Sequence, residues 1–246
     1  MKRTLFLLPM LLLAGGCPVL QNEDTPVSAT HVTSGPNRYW VYVPSYHTTD
    51  RTWPLVVTLH GTHGWDSDSD QIRSWKLLAE EKGLIVVAPH MRSVQGILPV
   101  MRHLWYADLA KDEKTILAVL DEVAAKYNVD REHVILTGFS AGGYPLYYTG
   151  LRNPEKFEML IPCACSSDLE LLKRIELSPQ AKKIPVFIFW GRDDMIIQRQ
   201  SFQAVEFLSE NQCNVKFKKV KGSHWRRPDV IYNAWKDRLP ATMKAQ

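Results

Sequence analysis

The feature that most constrains the fold of this chain is the segment HVILTGFSAGGYPLYY, residues 133–148, in which a buried strand runs into a helix across one sharp turn. Residues 134–136 are apolar and rich in β-branched side chains, as expected of a strand covered on both faces. After Gly138-Phe139-Ser140-Ala141-Gly142 the residues read as the start of a helix. This order predicts a buried strand followed directly by a helix, with Ser140 at the turn.

The G-x-S-x-G spacing around Ser140 also has a chemical meaning. A serine at such a turn takes a strained backbone conformation that exposes its hydroxyl group, and the flanking glycines let the strand and the helix approach closely. The start of the helix directs N–H groups and a partial positive charge to the place where an oxyanion forms. The pentapeptide alone can occur by chance, but its strand–turn–helix context indicates a nucleophilic serine.

The rest of the chain alternates predicted strands and helices. Residues 30–33 and 38–43 alternate in polarity around a Gly-Pro-Asn turn and predict an antiparallel hairpin at the edge of a sheet. Further strands are predicted at 55–59, 84–88, 159–162, 186–190 and 215–220, and helices at 72–81, 113–127, 143–151, 202–209 and 228–235. This order predicts an α/β fold with a mostly parallel central sheet flanked by helices, in a single domain over residues 29–246.

The N-terminus has the pattern of an export signal. Lys2 and Arg3 precede an apolar run over residues 5–14, which is about half the roughly twenty residues that a membrane span needs. We therefore interpret residues 1–16 as a secretory signal peptide. The end of this segment resembles a bacterial lipoprotein signal, which implies that Cys17 is lipidated. We expect an exported protein anchored to a membrane on the periplasmic or cell-surface side, with residues 17–28 as a tether. The alternatives are plain export and an incidental cysteine at position 17.

Composition and cysteine spacing exclude several other classes. Removal of Lys2 and Arg3 with the signal lowers the formal net charge from +4 to +2, and the one dense basic run, 216–219, alternates like a strand with a solvated face. We therefore predict no nucleic-acid partner. Cys163, Cys165 and Cys213 lack the C-x-x-C spacing of a zinc site. We expect Cys163 and Cys165 to pack in the core, while an exported chain also allows one disulfide.

Three polar segments follow predicted strands, at the edge where the active sites of α/β sheets gather. His60-Gly61-Thr62 follows the strand at 55–59, Asp193-Asp194 follows 186–190, and Gly222-Ser223-His224 follows 215–220. Each segment alone could be an ordinary turn. Together, in the chain order serine, acid, histidine, they predict a catalytic triad of Ser140, one of the two aspartates and His224.

The chain resembles the α/β-hydrolases of the esterase and poly(3-hydroxybutyrate)-depolymerase-like group, which includes feruloyl and acetyl-xylan esterases. The resemblance rests on residues 38–44, 54–61, 127–130, 138–143 and 154–157 and on the aspartate and histidine loops. It implies an α/β-hydrolase fold and the hydrolysis of carboxylic esters on small molecules or carbohydrates. Depolymerases of this group follow the catalytic histidine with x-Trp-Pro, and this chain departs from that pattern with Trp225-Arg226-Arg227-Pro228.

The resemblance also assigns roles to residues. The acid of the group lies three residues after the glycine that ends its strand, which makes it Asp194, and Asp193 is then expected to face solvent or cap the loop. His224 would take the proton of Ser140, and the N–H groups of Thr62 and Ala141 would hold the oxyanion. Alternatives are a peptidase or thioesterase with the same triad, or a non-catalytic lipid-anchored binding protein.

No cofactor and no metal are expected. His60, His63 and His90 could be imagined as a zinc cluster, but no H-E-x-x-H or comparable ligand motif supports one. In the resembling group, the histidine at the position of His60 shapes its loop instead.

Several aromatic and basic residues are candidates for substrate contacts. Trp65, Trp105, Tyr106 and Trp225 lie in or near predicted loops at the active end, where they could line an acyl pocket or belong to the core. Arg226 and Arg227 could meet an anionic group of the substrate or could simply be solvated.

Overall fold

The computed structural model of the protein describes residues 29–95 and 102–240. The predicted signal peptide, the tether and Cys17 lie outside the described residues. The strands are β1 (Thr30–Ser34), β2 (Asn37–Tyr42), β3 (Trp53–Leu59), β4 (Ile85–Pro89), β5 (Val129–Ser140), β6 (Met159–Cys165), β7 (Val186–Gly191) and β8 (Val215–Val220). The helices are α1 (Asp68–Lys82), α2 (Arg102–Lys126), α3 (Gly143–Arg152), α4 (Leu169–Arg174), α5 (Pro179–Lys183), α6 (Gln198–Glu210) and α7 (Pro228–Trp235).

The eight strands form one sheet in the order β1-β2-β4-β3-β5-β6-β7-β8. The β1–β2 hairpin and the β2–β4 pair are antiparallel, and all other neighbours are parallel. The predicted fold is therefore confirmed, including the N-terminal antiparallel hairpin and the mostly parallel sheet. Because β3, β5, β7 and β8 run in the same direction, the residues that follow them meet at one edge of the sheet.

Helices cover both faces of this sheet, and for this reason its central strands are apolar throughout. Every residue of β3, β4 and β6 is buried. On one face the core includes residues of α2, α3 and α6, and on the other it includes residues of α1 and α7. Within the described residues, no helix combines the length and the apolarity that crossing a membrane requires.

The largest difference from the sequence-based expectation is the start of α2, at Arg102 rather than at residue 113. Trp105 and Tyr106 therefore lie in a helix and not in a loop, and Trp105 is buried against Leu109 and Leu171. The buried stripe continues at the helical spacing through Asp112, which is fully buried. A charged residue in this stripe interrupts the apolar period, and the sequence pattern therefore concealed the first turns of the helix.

The short helices α4 and α5 were not predicted either. Each is too short for a clear apolar period, and each begins at a side-chain cap: Asp168 accepts the N–H of Leu171, and Ser178 accepts the N–H of Ala181. The expected packing role of Cys163 and Cys165 agrees with the structure, in which both thiols are buried and free.

Candidate active site

Ser140 ends β5 with a φ of +50°, in the left-handed region that residues other than glycine rarely adopt. The turn is closed by backbone hydrogen bonds on both sides of the serine. Gly142 N–H donates to Phe139 O at 2.9 Å, and Ser166 N–H donates to Ser140 O at 2.7 Å. Helix α3 begins directly afterwards at Gly143. The chain thus holds a serine in a strained conformation where a central strand becomes a helix.

The contacts of Gly142 show why the second residue after the serine must be a glycine. A Cβ atom at this position would lie 2.5 Å from Leu59 O and 2.7 Å from His60 O, which is closer than real Cβ contacts allow. Since both atoms belong to the backbone at the end of β3, neither can move aside without displacing the strand. The glycine therefore lets the serine turn pack directly against the loop that follows β3.

We call the segments at the ends of three of the parallel strands the β3 loop (residues 60–66), the β7 loop (191–197) and the β8 loop (221–227). In the β7 loop, Asp194 is 1% exposed, and its Oδ2 lies 2.8 Å from Nδ1 of His224. Its other oxygen accepts the N–H groups of Ile196 and Ile197 at 3.2 Å each. Asp193 is exposed, so Asp194 is the aspartate that faces His224.

The ring of His224 also packs on the residue that precedes the serine. The ring centroids of His224 and Phe139 are 4.6 Å apart. When the Asp194 carboxylate accepts a hydrogen bond from Nδ1, the neutral imidazole carries its lone pair on Nε2. The structure thus brings the histidine beside the serine turn, and a hydrogen bond from Nδ1 to Asp194 would give the tautomer that a general base requires.

The close approach of the β7 and β8 loops depends on Gly191. A Cβ atom there would lie 2.2 Å from the carbonyl oxygens of Gly222 and Ser223. No residue with a side chain fits without separating the two loops, and hence without separating Asp194 from His224.

His60 shapes the β3 loop through both of its ring nitrogens. Its Nε2 accepts the N–H of Met91 at 3.0 Å, and its Nδ1 donates to Gly61 O at 2.8 Å. Burial lowers the pKa of His60, which favours the neutral ring that this pattern needs. With both nitrogens engaged, His60 has no lone pair to offer a metal ion. Across the described ranges, no group of three or more His, Cys, Asp or Glu residues is arranged to hold one.

The two N–H groups predicted to hold an oxyanion lie on segments next to the serine. Ala141 follows Ser140 directly, and the β3 loop runs so close that a Cβ atom on Gly61 would lie 3.1 Å from the Cβ of Ser140. Thr62 O accepts the N–H groups of Trp65 and Asp66 at 3.1 Å. Among the backbone hydrogen bonds of the described turns and loops, neither the N–H of Thr62 nor that of Ala141 is a donor.

The sequence reasoning missed a buried ion pair beside this site. Asp66 is 3% exposed, and its Oδ1 lies 2.5 Å from Nη1 of Arg226. Its Oδ2 accepts hydrogen bonds from Gly61 N–H at 2.7 Å and from Gln71 Nε2 at 2.6 Å. Arg226 is therefore paired within the protein, and its side chain is 17% exposed. Arg227 is also paired, because two of its nitrogens donate to Asp229. No local pattern could have indicated a pair that is separated by 160 residues.

Exposed apolar side chains surround these loops. Trp65 of the β3 loop is 73% exposed, Met195 and Ile196 of the β7 loop are 87% and 68% exposed, and Trp225 of the β8 loop is 43% exposed. Trp65 and Trp225 thus lie at the active end as predicted, and the rim of the site is apolar.

Similar proteins were found among family models, characterised sequences and solved structures. Residues 97–236 match the model of a family described as phospholipase/carboxylesterase. The chain is 28% identical over 174 residues to a bifunctional acetylxylan esterase/xylanase of Neocallimastix patriciarum, which covers 70% of this chain and 23% of the relative. It is 36% identical over 90 residues to acyl-protein thioesterase 1 homolog 2 of Dictyostelium discoideum, covering 36% of this chain and 39% of that one. The chain thus spans less than half the length of either relative.

A ferulic acid esterase of Anaeromyces mucronatus, solved with ferulic acid, has a similar fold. Its TM-score is 0.66 at 18% identity, and the match covers 88% of this chain and 92% of that one. Together with the family match, this similarity confirms the resemblance to an esterase-type α/β-hydrolase that the sequence predicted. Because the family match spans more than half of the chain and includes Ser140, Asp194 and His224, this protein belongs to the phospholipase/carboxylesterase family of α/β-hydrolases.

Proposed function

We propose that this protein hydrolyses carboxylic esters through an acyl-enzyme on Ser140, with His224 as general base and Asp194 as the acid of the triad. The observation that carries the proposal is the buried Asp194–His224 hydrogen bond, at 2.8 Å, beside a serine held at a φ of +50°. A serine with only a structural role would need neither the strained turn nor the oriented imidazole.

The proposed reaction has two half-reactions. Ser140 Oγ attacks the carbonyl carbon of the ester while His224 Nε2 takes the hydroxyl proton, and the imidazolium then gives that proton to the leaving alkoxide. A water molecule next attacks the acyl-enzyme with the same histidine as base, which releases the carboxylic acid and restores the serine. Asp194 keeps the proton on Nδ1 and stabilises the imidazolium that forms in each half-reaction.

The negative charge that develops on the carbonyl oxygen would be held by the N–H groups of Thr62 and Ala141. Both lie beside Ser140, and neither is a donor among the backbone hydrogen bonds of the described turns and loops. Loss of one such donor typically costs about 3 kcal/mol of transition-state stabilisation.

For the substrate, we propose small-molecule or carbohydrate-linked esters. The name of the Neocallimastix relative includes acetylxylan esterase, and that of the Anaeromyces structure ferulic acid esterase. The exposed Trp65 and Trp225 give the rim a surface on which an aromatic acyl group or a sugar ring can stack. A second candidate is thioester hydrolysis, because the Dictyostelium relative is named an acyl-protein thioesterase and the same triad serves both bonds.

The test is covalent labelling of Ser140 combined with a substrate panel. We expect a fluorophosphonate probe to label wild-type protein, and Ser140→Ala to abolish both labelling and turnover of p-nitrophenyl esters. Ser223→Ala is the matched control, since that exposed serine lies in the β8 loop, and it should retain both. A folded wild-type protein that takes no label would favour a binding protein. Higher kcat/KM for thioesters or amides than for matched esters would favour the other hydrolase classes.

Attachment of the protein to a membrane is a separate proposal that rests on the sequence around Cys17. Two acyl chains on this cysteine would anchor the protein to a membrane, whereas one chain gives only marginal binding. Cys17→Ser should then release the protein from the membrane fraction, and recovery of unlipidated wild-type protein would contradict lipidation.

A further inference from the structure

We propose that Asp66 and Arg226 are a positioning pair that holds the β3 and β8 loops in the arrangement that the reaction needs. Asp66 belongs to the loop with the Thr62 donor, and Arg226 lies two residues after His224. The inference rests on the proposed function, because it assigns the pair to the same reaction. Neither residue belongs to the triad.

On the β3 side, side chains hold the peptide groups that surround Thr62 N–H. Asp66 Oδ2 accepts Gly61 N–H at 2.7 Å, and His60 Nδ1 donates to Gly61 O at 2.8 Å. Thr62 O accepts the backbone N–H of Asp66 at 3.1 Å. In a trans peptide the N–H points away from the carbonyl oxygen. With Gly61 O bound on one side, Thr62 N–H is therefore directed to the other.

A second layer keeps the Asp66 carboxylate in place. Gln71 Nε2 donates to Asp66 Oδ2 at 2.6 Å, while Gln71 Oε1 accepts the hydroxyl of Thr58 at 2.8 Å. Thr58 and Gln71 are 1% and 2% exposed, and they belong to β3 and α1. The carboxylate is thus supported by two rigid elements, which is the condition for a side chain that positions others.

On the β8 side, Arg226 joins this network to the histidine. Its Nη1 lies 2.5 Å from Asp66 Oδ1, and its guanidinium carbon lies 5.8 Å from the centre of the Phe139 ring. The same ring contacts His224 at 4.6 Å. The guanidinium therefore links the loop of the histidine to the loop of the predicted oxyanion donor, next to the residue that precedes the nucleophile.

The energetics of a buried ion pair favour a role of Asp66 and Arg226 in the geometry of the site over a role in stability. A buried ion pair gains little net stability over apolar residues of the same size, because removing two charges from water offsets most of their attraction. The two loops that this pair joins carry groups that act on the transition state. Loosening them should therefore lower kcat, while the KM of a small substrate stays nearly constant.

The experiment compares Arg226→Met and Asp66→Asn with Arg227→Met in the hydrolysis of p-nitrophenyl acetate. Arg227 is the matched control, because it lies in the same loop and forms an ion pair with Asp229 instead. We expect kcat to fall about 10- to 100-fold in Arg226→Met and Asp66→Asn, with KM within about threefold of wild type. Arg227→Met should stay within about twofold, and the double variant should lose no more than the worse single variant, because the pair acts as a unit.

A trifluoromethyl ketone forms a tetrahedral adduct with the serine. Its binding distinguishes a positioning role of the ion pair from a purely structural role. Positioning predicts that its inhibition constant rises by the same factor as kcat/KM falls across the variants. A purely structural role predicts a lower melting temperature with kcat and inhibition constant unchanged in the folded protein, and that result would overturn the proposal. Arg226→Lys keeps the charge and should recover part of the lost kcat. If Asp66→Asn does not fold, the two Arg226 variants decide the question.

Ser140→Ala distinguishes the two levels of inference. If that variant still hydrolyses the ester, the proposed function fails. If it is inactive while folded Arg226→Met and Asp66→Asn match the wild type, only the positioning pair is wrong.

Discussion

The β3 and β7 loops each place one buried carboxylate against the β8 loop, but the two carboxylates meet different partners. Asp66 pairs with Arg226, and Asp194 pairs with His224. In both cases the carboxylate also accepts backbone N–H groups of its own loop, at Gly61 for Asp66 and at Ile196 and Ile197 for Asp194. The β8 loop is thus held from two sides by the same kind of contact.

The difference lies in what the partner can do with a proton. The guanidinium of an arginine stays charged at every pH that a protein tolerates, so Asp66 and Arg226 can only fix a geometry. An imidazole gains and loses a proton near neutral pH, so the Asp194–His224 pair can support proton transfer. Similar carboxylate geometry therefore serves positioning in one loop and proposed acid–base chemistry in the other.

The largest effect should come from removing the negative charge of Asp194, which faces His224. We expect Asp194→Asn to lower kcat about 10³- to 10⁴-fold with near-normal folding, because the amide favours the wrong tautomer of His224. Asp193→Asn is the control: this neighbouring aspartate is exposed, and its variant should lose about tenfold or less. Steady-state kinetics on purified, folded variants would measure both. The reverse order would transfer the role of the acid to Asp193.

A smaller effect should appear in the pH dependence of stability when Arg226 is removed. Burial raises the pKa of Asp66, and the cation of Arg226 opposes this rise. In Arg226→Met the native pKa of Asp66 should rise further. Between about 3.9, the ordinary pKa in the unfolded chain, and this native value, the folded state holds a proton that the unfolded state has lost, so stability falls as pH rises.

The free energy of unfolding of Arg226→Met relative to wild type should therefore decrease with pH between the native pKa of Asp66 in wild type and its higher native pKa in the variant. The decrease should be at most about 1.4 kcal/mol per pH unit, and the difference should level off above the higher value. Urea unfolding at a series of pH values from about 4 to 8 would measure the difference. Arg227→Met should run parallel to wild type. A constant difference between Arg226→Met and wild type would show that Asp66 does not depend on this cation.

The smallest effect is expected at the uncharged contact with the β8 loop. The buried thiol of Cys163 lies 3.7 Å from Trp225 O, and burial raises its pKa to about 12, which keeps it neutral. Cys163→Ala should change kcat by less than about twofold, since a weak thiol donor adds little to the two carboxylate contacts. The same ester assay measures it. A tenfold loss would mean that this contact, too, positions the histidine.

The elements that the sequence predicted best are those determined by residues close together in the chain. The apolar strands, the glycines around Ser140 and the chain order of the polar loops are consequences of backbone sterics and of hydrophobic period, so they predicted the sheet and the serine turn. The choice of Asp194 came from the family resemblance. Its orientation toward His224 agrees with that choice, since neighbouring residues of an extended turn point in different directions.

Other features depend on contacts between distant segments, and only the tertiary structure decided them. The buried Asp112 stands in the apolar stripe of α2 because it accepts the N–H groups of Arg92 and Ser93, which no period in α2 itself can reveal. The pairing of Asp66 with Arg226 spans 160 residues and exists because β3 and β8 end at the same edge of the sheet. A buried charge is tolerated only where its partner lies in space, and the position of that partner is a property of the packed fold.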